Sequence, residues 1–144
     1  MPKVDRKLLL IKAEVVENLK KIIKAENVLD HEDQTRPFET DALSAYKQKP
    51  LIVIFPENTK EVSKVLEFCN KERIKVVPRG AGTGLSGGAL PLADCILLVL
   101  TKFNKILDID FKNRCVVAQP GVTNLSITKS VEDKNFYYAP DPSS

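Results

Sequence analysis

A single histidine, three cysteines and no extended apolar run remove most of the usual chemistries before any motif is sought. His31 lies among Asp30, Glu32 and Asp33 and reads as an ordinary polar loop residue. A histidine-based metal site or a Ser-His-Asp triad would have nothing else to build on. Cys69, Cys95 and Cys115 are odd in number, widely spaced and set in apolar stretches. That pattern suits reduced, buried thiols in a cytosolic protein rather than disulfides, a metal site or a redox pair. The longest early apolar run, Leu8-Leu9-Leu10-Ile11, stops at Lys12. It is too short for a signal peptide's apolar region or a membrane span, so the expectation is a soluble, cytoplasmic protein. Charge of one sign is missing too: 22 basic and 19 acidic side chains give +3, well mixed along the chain. Only the amino-terminal third hints at a basic surface, and no nucleic-acid partner is expected. At 144 residues there is room for one domain with a real core and not for two full ones.

Glycine is scarce except in one place. Five of the six glycines fall between Gly80 and Gly88, inside the stretch "VVPRGAGTGLSGGALP". Gly82 to Gly87 spells G-x-G-x-x-G, the pattern of nicotinamide dinucleotide loops, which requires a helix to open directly after it. Only Ala89-Leu90-Pro91-Leu92-Ala93-Asp94 separates Gly88 from the apolar strand Cys95 to Leu100. No crossover helix fits there, and no Gly-Lys-Ser/Thr follows to make a triphosphate cradle. The remaining reading is a loop whose own backbone binds. Glycines 80, 82, 84, 87 and 88 can take positive φ, so that successive N–H groups converge into an anion nest, with Arg79 adding a charge and Thr83 and Ser86 adding hydroxyls. A flexible linker or wide turn between Val77 and Cys95 is the competing reading.

Around the loop the pattern predicts an α+β chain. Apolar residues at 8, 11, 15, 16, 19, 22 and 23 predict one amphipathic helix over Leu8–Ile23. Asn27 to Lys49 is polar, contains Pro37 and has no period; it reads as an irregular connection covering part of a binding site. Leu51 to Phe55 reads as a buried strand. Asn58 and Glu61 form a capping-box start for a helix whose apolar face is Val62, Val65, Leu66 and Cys69. The strand Ile74 to Val77 completes a βαβ unit with an expected right-handed crossover. Lys105–Ile109 and Arg114–Gln119 read as an antiparallel pair around Asp110-Phe111-Lys112-Asn113, and Thr123 caps a helix running to about Asp133.

In this order the strand, "PENT", the helix, "VVPRGAGTGLSGGA", the next strand, "NRCVVAQPGV" and "APDPSS" resemble the first half of the flavin-binding module of the vanillyl-alcohol oxidase and p-cresol methylhydroxylase (PCMH) family. Within it the glycolate oxidase and D-lactate dehydrogenase branch is the most similar, and "DHEDQTRPFETDALSAYKQKP" extends the resemblance to nearly the whole chain. The resemblance implies a PCMH-type FAD-binding subdomain, a mixed sheet with flanking helices. Residues 1–49 would form an N-terminal helix and connection, and residues 50–144 the first, incomplete half of the domain. It implies FAD held by main-chain amides, with Pro78, Arg79, Gly80, Ala81, Gly82, Thr83, Gly84, Leu85, Ser86 and Gly87 lining the pyrophosphate, and Pro140, Asp141, Ser143 and Ser144 starting a further cofactor segment. Covalent members carry a histidine in this loop. Gly84-Leu85-Ser86-Gly87 has none, so the flavin is expected to be non-covalent. The implied function is the amino-terminal FAD-binding portion of a flavin-dependent 2-hydroxy-acid oxidoreductase. Family members are several times longer, and the residues that grip the substrate and take its proton lie in parts absent here. No catalytic residue is therefore assigned, weak or absent FAD binding is expected of the chain alone, and the missing carboxyl-terminal part or a complementary chain is the expected partner. A binding module or a non-catalytic remnant is the alternative.

Overall fold

The computed structural model describes residues 4–140, and the chain divides into two compact units at Leu100/Thr101. The first carries α1 (Arg6–Leu10), α2 (Lys12–Ile22), β1 (Val28–Leu29), α3 (Glu32–Thr35), β2 (Ile52–Ile54), α4 (Thr59–Lys71), β3 (Lys75–Arg79) and β4 (Cys95–Val99). Its four-stranded sheet has the order β1-β2-β4-β3. β2, β4 and β3 run parallel, while β1 pairs antiparallel with β2 through Val28 to Ile54 and Leu29 to Val53. The sheet is therefore mixed and the class α+β, as expected.

β2 and β4 are buried along their whole length, because both faces of the central strands are covered. Successive side chains alternate between two cores. Ile52, Ile54, Ile96 and Leu98 point to one side and pack with Val15, Val16, Leu19, Val65 and Cys69 from α2 and α4. Val53, Leu97 and Val99 point to the other, where Leu29, Phe38, Phe55 and Val77 cover them. Each fully buried aliphatic side chain stabilises the fold by roughly 1.5–3 kcal/mol relative to exposure. By packing in this second core, Phe38 brings the chain between α3 and β2 over the sheet beside the end of β3.

Several expectations are corrected here. The predicted first helix is two, broken at Ile11 (φ −98°, ψ 14°). Of Leu8-Leu9-Leu10-Ile11 only Leu8 is buried, and Asp5 N–H is tied to Asp94 Oδ2 at 2.7 Å. Asn27 to Lys49 is not wholly irregular, since it holds β1, α3 and a 3₁₀ turn at Arg36–Phe38. On α4, Val65 and Cys69 are buried as predicted, but Leu66 is exposed and Phe68 packs on the core in its place. The predicted βαβ unit exists, but β2 and β3 are not neighbours: β4 lies between them.

The second unit is a hairpin, β5 (Ile106–Asp110) and β6 (Cys115–Ala118), followed by α5 (Asn124–Val131). Asp110 accepts hydrogen bonds from the Asn113 N–H (2.9 Å) and side-chain amide (2.6 Å), and Arg114 takes φ +56° to close the turn. Thr123 caps α5 by accepting the Ser126 N–H at 3.2 Å, as its sequence position predicted. Among the described residues no helix is long and apolar enough to cross a membrane.

Candidate functional site

β3 runs out at Arg79 and the glycine loop begins at Gly80, at the carboxyl end of a parallel strand. In open α/β sheets, ligands bind outside the carboxyl ends of the parallel strands. Gly80 to Asp94 contains no helix, so the main-chain connection to β4 is bare loop, as predicted.

The inner edge of the loop is built against the chain from Phe38 to Leu43. Arg79 Nη1 donates to the Thr40 carbonyl at 2.7 Å, and the guanidinium sits 5.8 Å from the centre of the Phe38 ring, within cation–π range. Ala42 N–H donates to the Gly82 carbonyl at 2.9 Å. Gly82 has φ +80°, and a Cβ there would lie 2.2 Å from Arg79 Nη2, so Arg79 occupies the space that any other residue's side chain would need. Gly87, at φ +74°, accepts the Leu90 N–H at 3.2 Å and lies against Leu43. Only these two glycines take the left-handed conformation; the expectation of positive φ at all five is too broad.

The outer edge differs. A Cβ on Gly80, Gly84 or Gly88 would meet nothing within 4 Å, so nothing in the chain requires glycine at those places. Among the described residues, no N–H from Gly80 to Gly88 donates a hydrogen bond within the chain. Pro78, Ala81, Thr83 and Ser86 are exposed, and Leu85 is 73% exposed. From Gly80 to Gly88 the amides are thus unengaged within the chain, and apart from Leu85 the side chains between them are small. Pro140 is exposed in the second unit, and Asp141, Ser143 and Ser144 lie outside the described residues.

Within Pro78–Gly87 the one charged side chain is Arg79. Burial pushes the Arg79 pKa down and the Asp41 charge pulls it back up; a guanidinium stays charged regardless. Its donors, however, are directed at Thr40 and Phe38. The amino end of α4 does not compete as an anion site, since Asn58 accepts the Glu61 N–H (3.0 Å) and Glu61 accepts the Glu57 N–H (2.7 Å). Burial raises the thiols of Cys69 and Cys95 to about 11, which leaves them protonated and unreactive at neutral pH. Cys115 is exposed, contrary to the expectation that all three are buried. Among the described residues no cluster of three metal-ligating side chains occurs. A cavity of about 770 Å³ in the second unit is lined by Phe111, Ile127 and Phe136 among others, and includes no loop residue.

Sequence reading missed the residues that hold the loop: Phe38, Thr40, Asp41, Ala42 and Leu43. Their stretch has no period and its contacts are remote in sequence. Asp41, a charged residue buried to 5% exposure, gives no local signal of that burial.

Unpaired amides and open space at three glycines are chemically compatible with the diphosphate of a nucleotide. Comparison with known proteins gives the family. A family profile described as an FAD binding domain matches residues 50–144. The glycolate oxidase subunit GlcD of Escherichia coli (strain K12) is 44% identical over all 144 residues, which span 28% of that protein. A D-lactate dehydrogenase of Anaerostipes hadrus is 35% identical over 90% of this chain and 27% of its own. The crystal structure of p-cresol methylhydroxylase with substrate bound superposes with a TM-score of 0.76 at 24% identity, covering 92% of this chain and 26% of that one, and so supports the fold. An α+β mixed sheet, a helix-free glycine loop at a parallel strand end and a match over residues 50–144 together place the chain in the FAD binding domain family, with FAD as its cofactor.

Proposed function

We propose that the Pro78–Gly87 loop holds the FAD pyrophosphate non-covalently through its main-chain amides. The chain is then the amino-terminal FAD-binding portion of a flavin-dependent 2-hydroxy-acid oxidoreductase of the glycolate oxidase or D-lactate dehydrogenase type. The observation that carries the reading is the pairing of unengaged N–H groups from Gly80 to Gly88 with open space at Gly80, Gly84 and Gly88. Amides in this setting neutralise phosphate charge by fixed dipoles, and the missing side chains allow close approach. When bound, FAD supplies the acceptor for the electrons of substrate oxidation. The protein's own part is to bind and orient it: Gly82 and Gly87 shape the bend, Thr83 and Ser86 offer hydroxyls, and Arg79, packed beside Gly82, adds a positive charge. Substrate-binding and proton-transfer residues belong to the carboxyl-terminal part, the expected partner of this chain.

Gly84 provides the clean test, because a side chain there meets nothing in the chain and has no positive φ to strain. In a polypeptide joining this chain to the carboxyl-terminal part of the glycolate oxidase relative, Gly84→Val is expected to weaken FAD binding roughly 10- to 100-fold, the size of an ordinary overpacking penalty. Thermal stability of the apoprotein should stay nearly unchanged. Full FAD affinity in both Gly84→Val and Gly82→Val would return the glycines to the linker reading.

A further inference from the structure

We propose that Arg79 is a positioning residue for the glycine loop: its guanidinium stands on Phe38 and Thr40, props the main chain at Gly82 and so aims the amides of the bend. This is a service of shape, which a positive charge alone does not perform. The strut can be followed outward from the core. Phe38 packs in the second core and meets the Phe55 ring edge-on, with centres 5.8 Å apart and planes at 69°. Arg79 Cζ lies 5.8 Å from the centre of the Phe38 ring. Nη1 donates to the Thr40 carbonyl at 2.7 Å, the one hydrogen bond of this side chain among the described residues. The other two nitrogens, Nη2 and Nε, lie 2.2 and 2.7 Å from where a Gly82 Cβ would stand, so the guanidinium is packed against the bare α-carbon of that glycine. Gly82 is therefore held twice, at its α-carbon by Arg79 and at its carbonyl by the Ala42 N–H at 2.9 Å. Both holds trace back to the chain between Phe38 and Ala42. The φ of +80° at Gly82 sets the directions of the neighbouring peptide N–H groups, and an anion nest depends on those directions. A planar guanidinium can lie against a ring, fill the place of a missing side chain and hydrogen-bond a carbonyl at once; a compact ammonium cannot.

A direct phosphate ligand predicts something different, because lysine serves that purpose too. Arg79→Lys keeps the charge and loses the planar fork; Arg79→Met loses both. The first measurement is amide hydrogen exchange of the 144-residue chain, read by NMR at Ala42, whose N–H reports the attachment of the loop, with Leu97 in β4 as reference for the fold. Both variants are expected to speed exchange at Ala42 about 10-fold with Leu97 unmoved, the effect of losing one charge-assisted hydrogen bond at a locally opening site. Wild-type exchange at Ala42 in either variant overturns the assignment. Should the residue 79 variants fail to fold, Phe38→Leu decides, since it withdraws the ring and leaves Arg79 in place. Exchange at Ala42 should then rise relative to Leu97, and an unchanged ratio overturns the assignment. The second measurement, FAD affinity in the joined polypeptide, rests on the pyrophosphate reading. Arg79→Lys is expected to weaken binding about 10-fold, to within about 3-fold of Arg79→Met. Near-wild-type affinity in Arg79→Lys where Gly84→Val binds weakly overturns the assignment. The two readings fail separately: faster exchange at Ala42 alongside full FAD affinity in the Gly84→Val and Gly82→Val proteins would sink the pyrophosphate reading and leave Arg79 as the strut of the bend.

Discussion

The two buried aspartates of the first unit differ in how far their carboxylates are hydrogen-bonded: Asp41 Oδ2 has no partner among the described residues, whereas Asp94 is well supplied. Asp94 is 2% exposed and accepts hydrogen bonds from Lys75 Nζ at 2.6 Å and from the Asp5 N–H at 2.7 Å. Burial alone would push its pKa up; the bonds from Lys75 and Asp5 outweigh that and hold it below the usual aspartate range. A carboxyl whose pKa is lower in the folded state contributes stability above its unfolded value, about 3.9, and loses it as pH falls through the lower folded value. Urea unfolding of the wild type should therefore weaken below about pH 4, and Asp94→Asn should remove that part of the acid slope while costing roughly 1–3 kcal/mol at pH 7. An unaltered slope in the variant would contradict the assignment. The Lys75 side chain is 38% exposed, so the benefit comes mainly from satisfying a buried carboxylate rather than from Coulomb attraction across solvent. At this scale the sequence showed Arg79 and the glycines of the loop plainly, since residue type alone announces them. It hid Asp41, because burial of a charge depends on partners remote in the chain.

Among elements, those that carry their own signals were legible and those defined by partners were not. α4 was readable from its cap: Asn58 accepts the Glu61 N–H at 3.0 Å. The reciprocal bond goes one residue further than a capping box, since Glu61 accepts from the Glu57 N–H and from the Asn58 side-chain amide, each at 2.7 Å. Asn58→Ala is expected to destabilise the first unit by about 1 kcal/mol, seen as a lower urea midpoint with an unchanged slope. No shift in midpoint would mean that Glu61 alone secures the start. β2 and β4 were legible as continuous apolar runs, and the β5–β6 hairpin from its turn. β1 was not: two residues carry no period, and Val28 and Leu29 become a strand only because β2 offers them an edge. The break at Ile11 was likewise hidden, because apolar residues recur at helical spacing on both sides of it.

For the whole molecule, the chain spans 28% of the glycolate oxidase relative, and under the function proposed above the glycine loop would form one side of a large cofactor's surroundings. A partial site buries too little of such a ligand to hold it tightly. The 144-residue chain is accordingly expected to purify colourless and to gain little thermal stability with FAD, and to bind FAD clearly once the carboxyl-terminal part is supplied. A yellow, stoichiometric complex of the chain alone would refute this. The sheet order was the part of the architecture least visible in advance, because interposing β4 between β2 and β3 is a matter of pairing that local patterns do not record. That order also leaves β3 on the outside of its sheet. The Leu100 N–H donates to the Arg79 carbonyl, so residue 79 faces β4 and Pro78, one position earlier, faces the open margin. A proline there has no N–H to offer an incoming strand, so Pro78 interrupts the run of hydrogen bonds along which a second chain would add to that margin.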